Sequence, residues 1–161
     1  MMFRNHLIVS AAGFATLVKV TSGAFHWTAS EVFIAGVLTL LGTVLPDIDT
    51  PHSRIGRTLP FIAYPIKFVF GHRGISHSLL SVGVIILIAL GYDIQWLLWI
   101  SFGYAMHLVG DYLTESGIPA LWPYKKRFRF VVFGTTNSIS EPLILLVYLA
   151  GCAGLWLWLG W

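Results

Sequence analysis

The sequence predicts an all-α protein: a polytopic membrane helix bundle of about five apolar helices, with one amphipathic helix lying at the membrane interface. Three observations carry this expectation. Of the 161 residues, 57% are hydrophobic and only 11% charged, whereas a soluble domain carries roughly 25% charged residues. The mean hydropathy is +0.78, so lipid is the solvent that such a surface matches. The apolar residues fall in discrete runs, and Lys and Arg gather in particular segments between them. The length fits a single membrane-embedded domain over residues 1–161.

The runs follow one another with recognisable punctuation. The first, Leu7 to about Val20, is rich in small residues (Ala11, Ala12, Gly13, Ala15). It begins after Arg4 and His6 and does not read as a cleaved signal. The second, Val32 to Leu45, stops at Pro46. Leu59 to Phe70 sets Leu59, Ile62, Ala63, Ile66 and Phe70 at helical spacing with Lys67 opposite, the pattern of a helix lying on a membrane surface. Leu79–Leu90 and Ile94–Gly110 form a hairpin broken at Gly91-Tyr92-Asp93, and the last run covers about Pro142 to Trp161 with no charge after Glu141. A spanning helix needs ~20 apolar residues, with a range of ~17–25. The fourth and last runs meet this. The others reach it only if their polar ends sit in the interface or face a pocket cut into the membrane.

Charge orients the bundle. Arg4, then Arg54, Arg57, Lys67 and Arg73, then Lys125, Lys126, Arg127 and Arg129 lie in the N-terminal and connecting segments, while residues 21–31 and 91–95 carry no basic side chain. Five spans put these basic segments on one side, and the positive-inside rule makes that side cytoplasmic. The N-terminus is then inside and the C-terminus outside. The net charge of +3 reads as sidedness, and no nucleic-acid partner is expected. Lys125-Lys126-Arg127-Phe128-Arg129 follows Trp122-Pro123-Tyr124, a pairing that serves either docking on anionic lipid headgroups or anchoring of the topology. A single cysteine, Cys152, excludes a disulfide framework and a thiolate zinc cluster.

Placed on this topology, the chemistry-bearing residues converge. His6 precedes the first span, Asp47 and Asp49 follow the second, His72 and His77 precede the third, and His107 and Asp111 close the fourth. All seven fall near cytoplasmic helix ends. Ionisable groups at membrane depth are expensive and therefore mark function. His107 and Asp111 stand four apart, on one face of a helix, where they can chelate a single ion. Gly103 and Gly110 permit close helix approach. Asp47 and Asp49, just past Pro46, face one site if that segment is extended or turned. Gly71-His72-Arg73-Gly74-Ile75-Ser76-His77-Ser78 supplies two further imidazoles, a flexible Gly74, and Ser76 as a helix N-cap. Imidazole with carboxylate suits zinc foremost, with manganese or magnesium as alternatives. Seven donors suit one ion or two sharing a carboxylate. Arg73 is placed to grip a phosphate, Thr114 to orient a ligand, and Glu31 and Glu141 to sit at the interface. The bland alternative is that these side chains only hydrogen-bond helices together. His-Glu-x-x-His, phosphate-loop and dinucleotide patterns are absent, and Gly74-Ile75-Ser76-His77-Ser78 lacks the closing glycine of a nucleophile elbow.

Leu45-Pro46-Asp47-Ile48-Asp49, Gly71-His72-Arg73-Gly74 with His77-Ser78, and Gly103-Tyr104 followed by His107, Asp111, Thr114 and Gly117-Ile118-Pro119 resemble the YdjM-type family of bacterial inner-membrane proteins. The resemblance covers about residues 3 to 130. It implies a metal-dependent hydrolase, phospholipase-like, acting on membrane lipid from the cytoplasmic side of the inner membrane. On that reading His6, Asp47, Asp49, His72, His77, His107 and Asp111 are metal ligands, and Asp47, Asp49, Arg73 and His77 are the catalytic candidates. The alternative class is a non-enzymatic protein that binds or transports metal, or one whose polar cluster is purely structural.

Overall fold

A computed structural model describes residues 1–71, 74–115, 117–124, 126–130 and 140–160. Its helices are α1 (Phe3–Thr21), α2 (Ala29–Val44), α3 (Arg54–Thr58), α4 (Pro60–Phe70), α5 (Leu79–Gly91), α6 (Trp96–Tyr112) and α7 (Ser140–Trp158), with 3₁₀ turns at Leu45–Asp49 and Ile75–His77. The one extended pairing among the described residues is the Ile118–Phe128 bridge. The all-α expectation holds, and α4 occupies the segment read as amphipathic, with Phe61 and Phe68 91% and 92% exposed.

Local sequence explains where helices start and stop. Thr28 and Glu31 form a reciprocal capping box at the head of α2, the Thr28 side chain meeting the Glu31 amide and the Glu31 side chain meeting the Thr28 amide. Ser53 caps α3 by accepting from the Gly56 amide at 2.9 Å. Pro60 opens α4, where its missing N–H costs nothing. Gly71 closes it at φ 75°, a conformation a side chain would resist. At α5 the N-cap position is Ser78, whereas Ser76, the cap expected from the sequence, lies within the 3₁₀ turn and points elsewhere.

Two stretches are long and apolar enough to cross a membrane by length and composition: Ala29–Asp49, of 21 residues, and Glu141–Trp158, of 18. The first gains its length because Pro46 is tolerated in the first turn of the 3₁₀ segment, which carries α2 onward. The fourth run, expected to span comfortably, forms a 17-residue helix, and α5 has only 13 residues. Lys19 falls in the last turn of α1, away from the other basic segments, so one cation stands apart from the pattern of sidedness.

α6 packs against α1, α2 and α5, and α7 packs on α1. The α2–α6 contact is backbone on backbone: a Cβ at Gly103 would stand 1.8 Å from the Thr39 carbonyl oxygen, and one at Gly42 2.1 Å from that of Ile100. Tyr104, Leu108, Ile118 and Ala120 form a small buried apolar cluster beside α5. Much of the remaining burial is polar: His6, Ser10, Thr39, Thr43, Asp49, Ser76, His77, His107, Asp111 and Glu141 are nearly inaccessible.

Candidate metal centre

The start of α1, the 3₁₀ turn after α2, the 3₁₀ turn before α5 and the end of α6 meet at one end of the bundle. They bring together His6, Asp47, Asp49, His77, His107 and Asp111. His72 and Arg73 lie outside the described residues.

Four donor atoms face one another. His77 Nε2 stands 3.9 Å from Asp47 Oδ1 and 3.5 Å from Asp111 Oδ2. His107 Nε2 stands 3.8 Å from Asp47 Oδ1 and 3.6 Å from Asp111 Oδ2. Ligands on one tetrahedral ion, with bonds of ~2.0–2.2 Å, are ~3.3–3.6 Å apart, so these four imidazole–carboxylate pairs lie within a few tenths of an ångström of ligand spacing. Both Nε2 atoms are buried and have no hydrogen-bond partner among the described residues, an expensive condition unless something else satisfies them. The donors therefore fit a divalent cation. Two overlapping groups have ligand atoms within 4.8 Å of one another: His6 with His107 and Asp111, and Asp47 with His77 and His107.

The opposite edges of the imidazoles are held. His107 Nδ1 is 2.8 Å from the Thr43 carbonyl oxygen, to which it donates. His77 Nδ1 is 3.2 Å from Asp49 Oδ2 and 3.2 Å from Ser76 Oγ. Ser76 Oγ donates to Asp49 Oδ2, and the Tyr104 hydroxyl donates to the Ser76 carbonyl. A proton on each Nδ1 leaves a lone pair on each Nε2, aimed at the shared space. Such outer carboxylates and carbonyls orient metal-binding histidines in general.

Asp49 thus stands behind His77. The segment after Pro46 is a 3₁₀ turn, which advances ~120° per residue, so carboxylates two positions apart diverge. The side chain of Asp47 is 26% exposed, that of Asp49 fully buried. Asp111 is approached from two sides: Oδ2 faces His77 and His107, while Oδ1 is 2.9 Å from the Met1 α-amine and 3.3 Å from His6 Nε2. The ring of His6 stacks on that of His107, with centroids 3.8 Å apart and planes 5° from parallel.

Several residues found here were not anticipated. Thr43 acts through its backbone, which carries no sequence signal. Ser76 adjoins His77, and its proximity was the available clue. Glu141, expected at the interface, is buried: its Oε1 accepts from the Met2 amide and from Asn5 Nδ2 at 2.8 Å, tying α7 to α1. Thr114 donates to the Asp111 backbone carbonyl at 2.9 Å and so closes α6. His26 and His52 are exposed, as loop residues.

Comparison with known proteins agrees with the sequence motifs. A family model described as "YdjM inner membrane protein" matches residues 1–161, so the match includes the C-terminal helix. The chain is 31% identical over 170 residues to "Inner membrane protein YdjM" of Escherichia coli (strain K12), an alignment covering 100% of this chain and 82% of that protein. The protein of the same name in Shigella flexneri matches equally. "Uncharacterized protein YvsG" of Bacillus subtilis (strain 168) is 33% identical over 139 residues, covering 84% of this chain and 86% of that protein. No solved structure matches the chain.

Proposed function

Because this chain belongs to the YdjM inner membrane protein family, we propose that it is a multi-pass protein of the bacterial inner membrane that hydrolyses phosphoesters of lipids with a bound divalent cation, zinc foremost. The observation that carries the reading is that the unpartnered Nε2 atoms of His77 and His107 each lie within 3.9 Å of both Asp47 Oδ1 and Asp111 Oδ2. The mixed donor set suits zinc, and its carboxylate half also admits manganese or magnesium.

A divalent cation bound there lowers the pKa of water and polarises a phosphoryl oxygen. The chain's own residues do the rest. Thr43 and Asp49 hold the imidazoles of His107 and His77 with Nε2 inward. Asp47 carries the accessible carboxylate of the cluster, so substrate arrives along it. In an unligated moment this carboxylate accepts the proton of the attacking water. Arg73, four positions before His77 in the sequence, is the candidate for a bidentate grip on phosphate. A lipid substrate is supported by α4, which packs on the 3₁₀ turn bearing Asp47 and turns Phe61 and Phe68 outward. Such a helix rests in the interface and leads lipid headgroups to the site. With the basic segments facing the cytoplasm, the site opens on the inner leaflet, where Lys126, Arg127 and Arg129 meet anionic headgroups.

A second reading, passage of the ion across the membrane, draws on a specific observation. The hydroxyls of Ser10, Thr39 and Ser101, on α1, α2 and α6, are buried without hydrogen-bond partners among the described residues. One experiment separates the two. Purified protein in mixed micelles is assayed with zinc against a panel of phospholipids and soluble phosphoesters, and reconstituted protein is assayed for zinc flux into liposomes. Hydrolysis lost in Asp47→Asn and His107→Ala, with both variants folded, supports the enzyme. Metal-loaded wild-type protein that is inert toward the whole panel overturns it, and flux in that protein establishes the alternative.

A further inference from the structure

We infer that the centre takes a single ion, liganded by Asp47, His77, His107 and Asp111, and that His6 is a positioning residue that holds Asp111 instead of the ion. The inference rests on the metal-centre reading and resolves its ion count and ligand set.

The first argument is the angle between rings. A metal lies near the plane of the imidazole that binds it, because the nitrogen lone pair lies in that plane. The planes of His6 and His107 are 5° from parallel, with centroids 3.8 Å apart. An ion midway between them would stand well over ~1.5 Å out of both planes at a bond length of ~2.0–2.1 Å, far off either lone pair. One ion therefore cannot serve both rings. His77 and His107 instead meet at 71° with centroids 5.4 Å apart, and in-plane lone pairs on rings so inclined can point at one position.

The second argument is the proton. A neutral imidazole that ligates through Nε2 carries its hydrogen on Nδ1, and that hydrogen needs an acceptor. His77 has Asp49 at this position and His107 has the Thr43 carbonyl. His6 Nδ1 is buried with no partner among the described residues. It lies against Gly110, where a Cβ would come within 2.8 Å of it. A ligating His6 would bury an unsatisfied N–H. Placing the proton on Nε2 directs the donor at Asp111 Oδ1, 3.3 Å away, and leaves at Nδ1 only a bare acceptor, which is tolerated better than a buried N–H. This argues equally against a second ion beside His6, at the ~3.5–4 Å spacing of two-metal sites.

The third argument is charge. The carboxylates of Asp47, Asp49 and Asp111, with the Met1 α-ammonium on Asp111 Oδ1, leave two negative charges for one divalent cation to offset in a buried site, where an unbalanced charge is costly.

The test uses full-length protein in detergent micelles, loaded with cobalt(II) alone and freed of excess by gel filtration. Elemental analysis gives the ion count, and visible absorption gives the coordination. The expected wild-type result is one cobalt per chain with the intense bands of a four-coordinate ion. His6→Gln, which keeps a donor toward Asp111, should retain those bands with affinity within about threefold of wild type. His6→Leu should retain the band pattern while binding ~10–100-fold more weakly, as loss of an outer partner does. His107→Ala should lose the bands. Two cobalt ions per wild-type chain, or bands lost in folded His6→Gln as fully as in His107→Ala, would overturn the inference and leave the metal-centre reading standing. Folded wild-type protein that binds no cobalt, zinc or manganese overturns both.

Discussion

His107 Nδ1 stands 2.8 Å from the carbonyl oxygen of Thr43, joining the turn of α6 that carries His107 to the last turn of α2. Two residues beyond that turn comes Pro46, and then Asp47. The bond sets the direction of His107 Nε2 and its distance from the Asp47 carboxylate together. It depends on the two backbones lying close, which Gly42 and Gly103 allow.

Gly103→Ala should therefore damage the site without touching it. The added methyl would stand 1.8 Å from the Thr39 carbonyl oxygen, a backbone atom that cannot swing aside. We expect a loss of at least ~1–3 kcal/mol from overpacking, seen as a lower midpoint in thermal or SDS unfolding, together with weakened metal binding. Gly83→Ala, with nothing within 4 Å of the new Cβ, should leave both unchanged. Equal effects of the two substitutions would refute the close-approach account.

Asp49→Asn tests the layer behind His77. The substitution keeps the size but removes the charge that meets His77 Nδ1 and Ser76 Oγ. Metal affinity should fall ~10–100-fold, the usual cost of losing an outer carboxylate. Asp47→Asn should fall further if, as proposed, it removes a ligand. Competition with a chromophoric chelator would rank them, and the reverse order would make Asp49 a direct ligand.

Glu141→Ala should loosen α7. The buried carboxylate accepts from the Met2 amide and from Asn5, and removing it strands these donors at a cost of ~1–3 kcal/mol. Limited proteolysis in micelles should then cut between α6 and α7 faster than in wild type. Unchanged stability and cleavage would show that the contact carries no weight.

Removing metal should abolish any hydrolysis and lower the unfolding midpoint. Binding to the folded state alone adds about 2.7 kcal/mol at a free ion concentration a hundred times Kd. The midpoint with zinc should exceed that with a strong chelator in wild type, and the gap should vanish in His107→Ala.

Orientation is checked by labelling. In a Cys152→Ser background, Gly23→Cys and Asp93→Cys should react with an impermeant maleimide added to spheroplasts, and His52→Cys should react only after lysis. Labelling of His52→Cys in intact spheroplasts would reverse the proposed sidedness.

The helix-end clustering was legible in the sequence because it depends only on order and charge. His107 and Asp111, four apart on a regular helix, had to share a face. His6, Asp47, Asp49 and His77 each sit where an apolar run begins or ends, and the structure brings them to the same end of the bundle. The Gly103 approach was legible for the same reason: a small residue on a helix face has few other uses. Glu141 was misread as interfacial because sequence places it at the mouth of a run, and only the packing of α7 on α1 shows that this mouth is closed.

Composition, periodicity and the placement of charge by themselves determined an all-helical chain with its imidazoles and carboxylates gathered at helix ends. They could do so because hydrophobic burial and helix geometry act on residue type and spacing alone. Which atoms face a common point was decided by the tertiary structure. The 3₁₀ turn at Leu45–Asp49 rotates Asp49 away from Asp47, the Thr43 carbonyl aims His107, and the stacked ring of His6 lies parallel to its neighbour instead of converging with it. Those directions arise from contacts between segments distant in the chain, and a linear spacing holds no record of them.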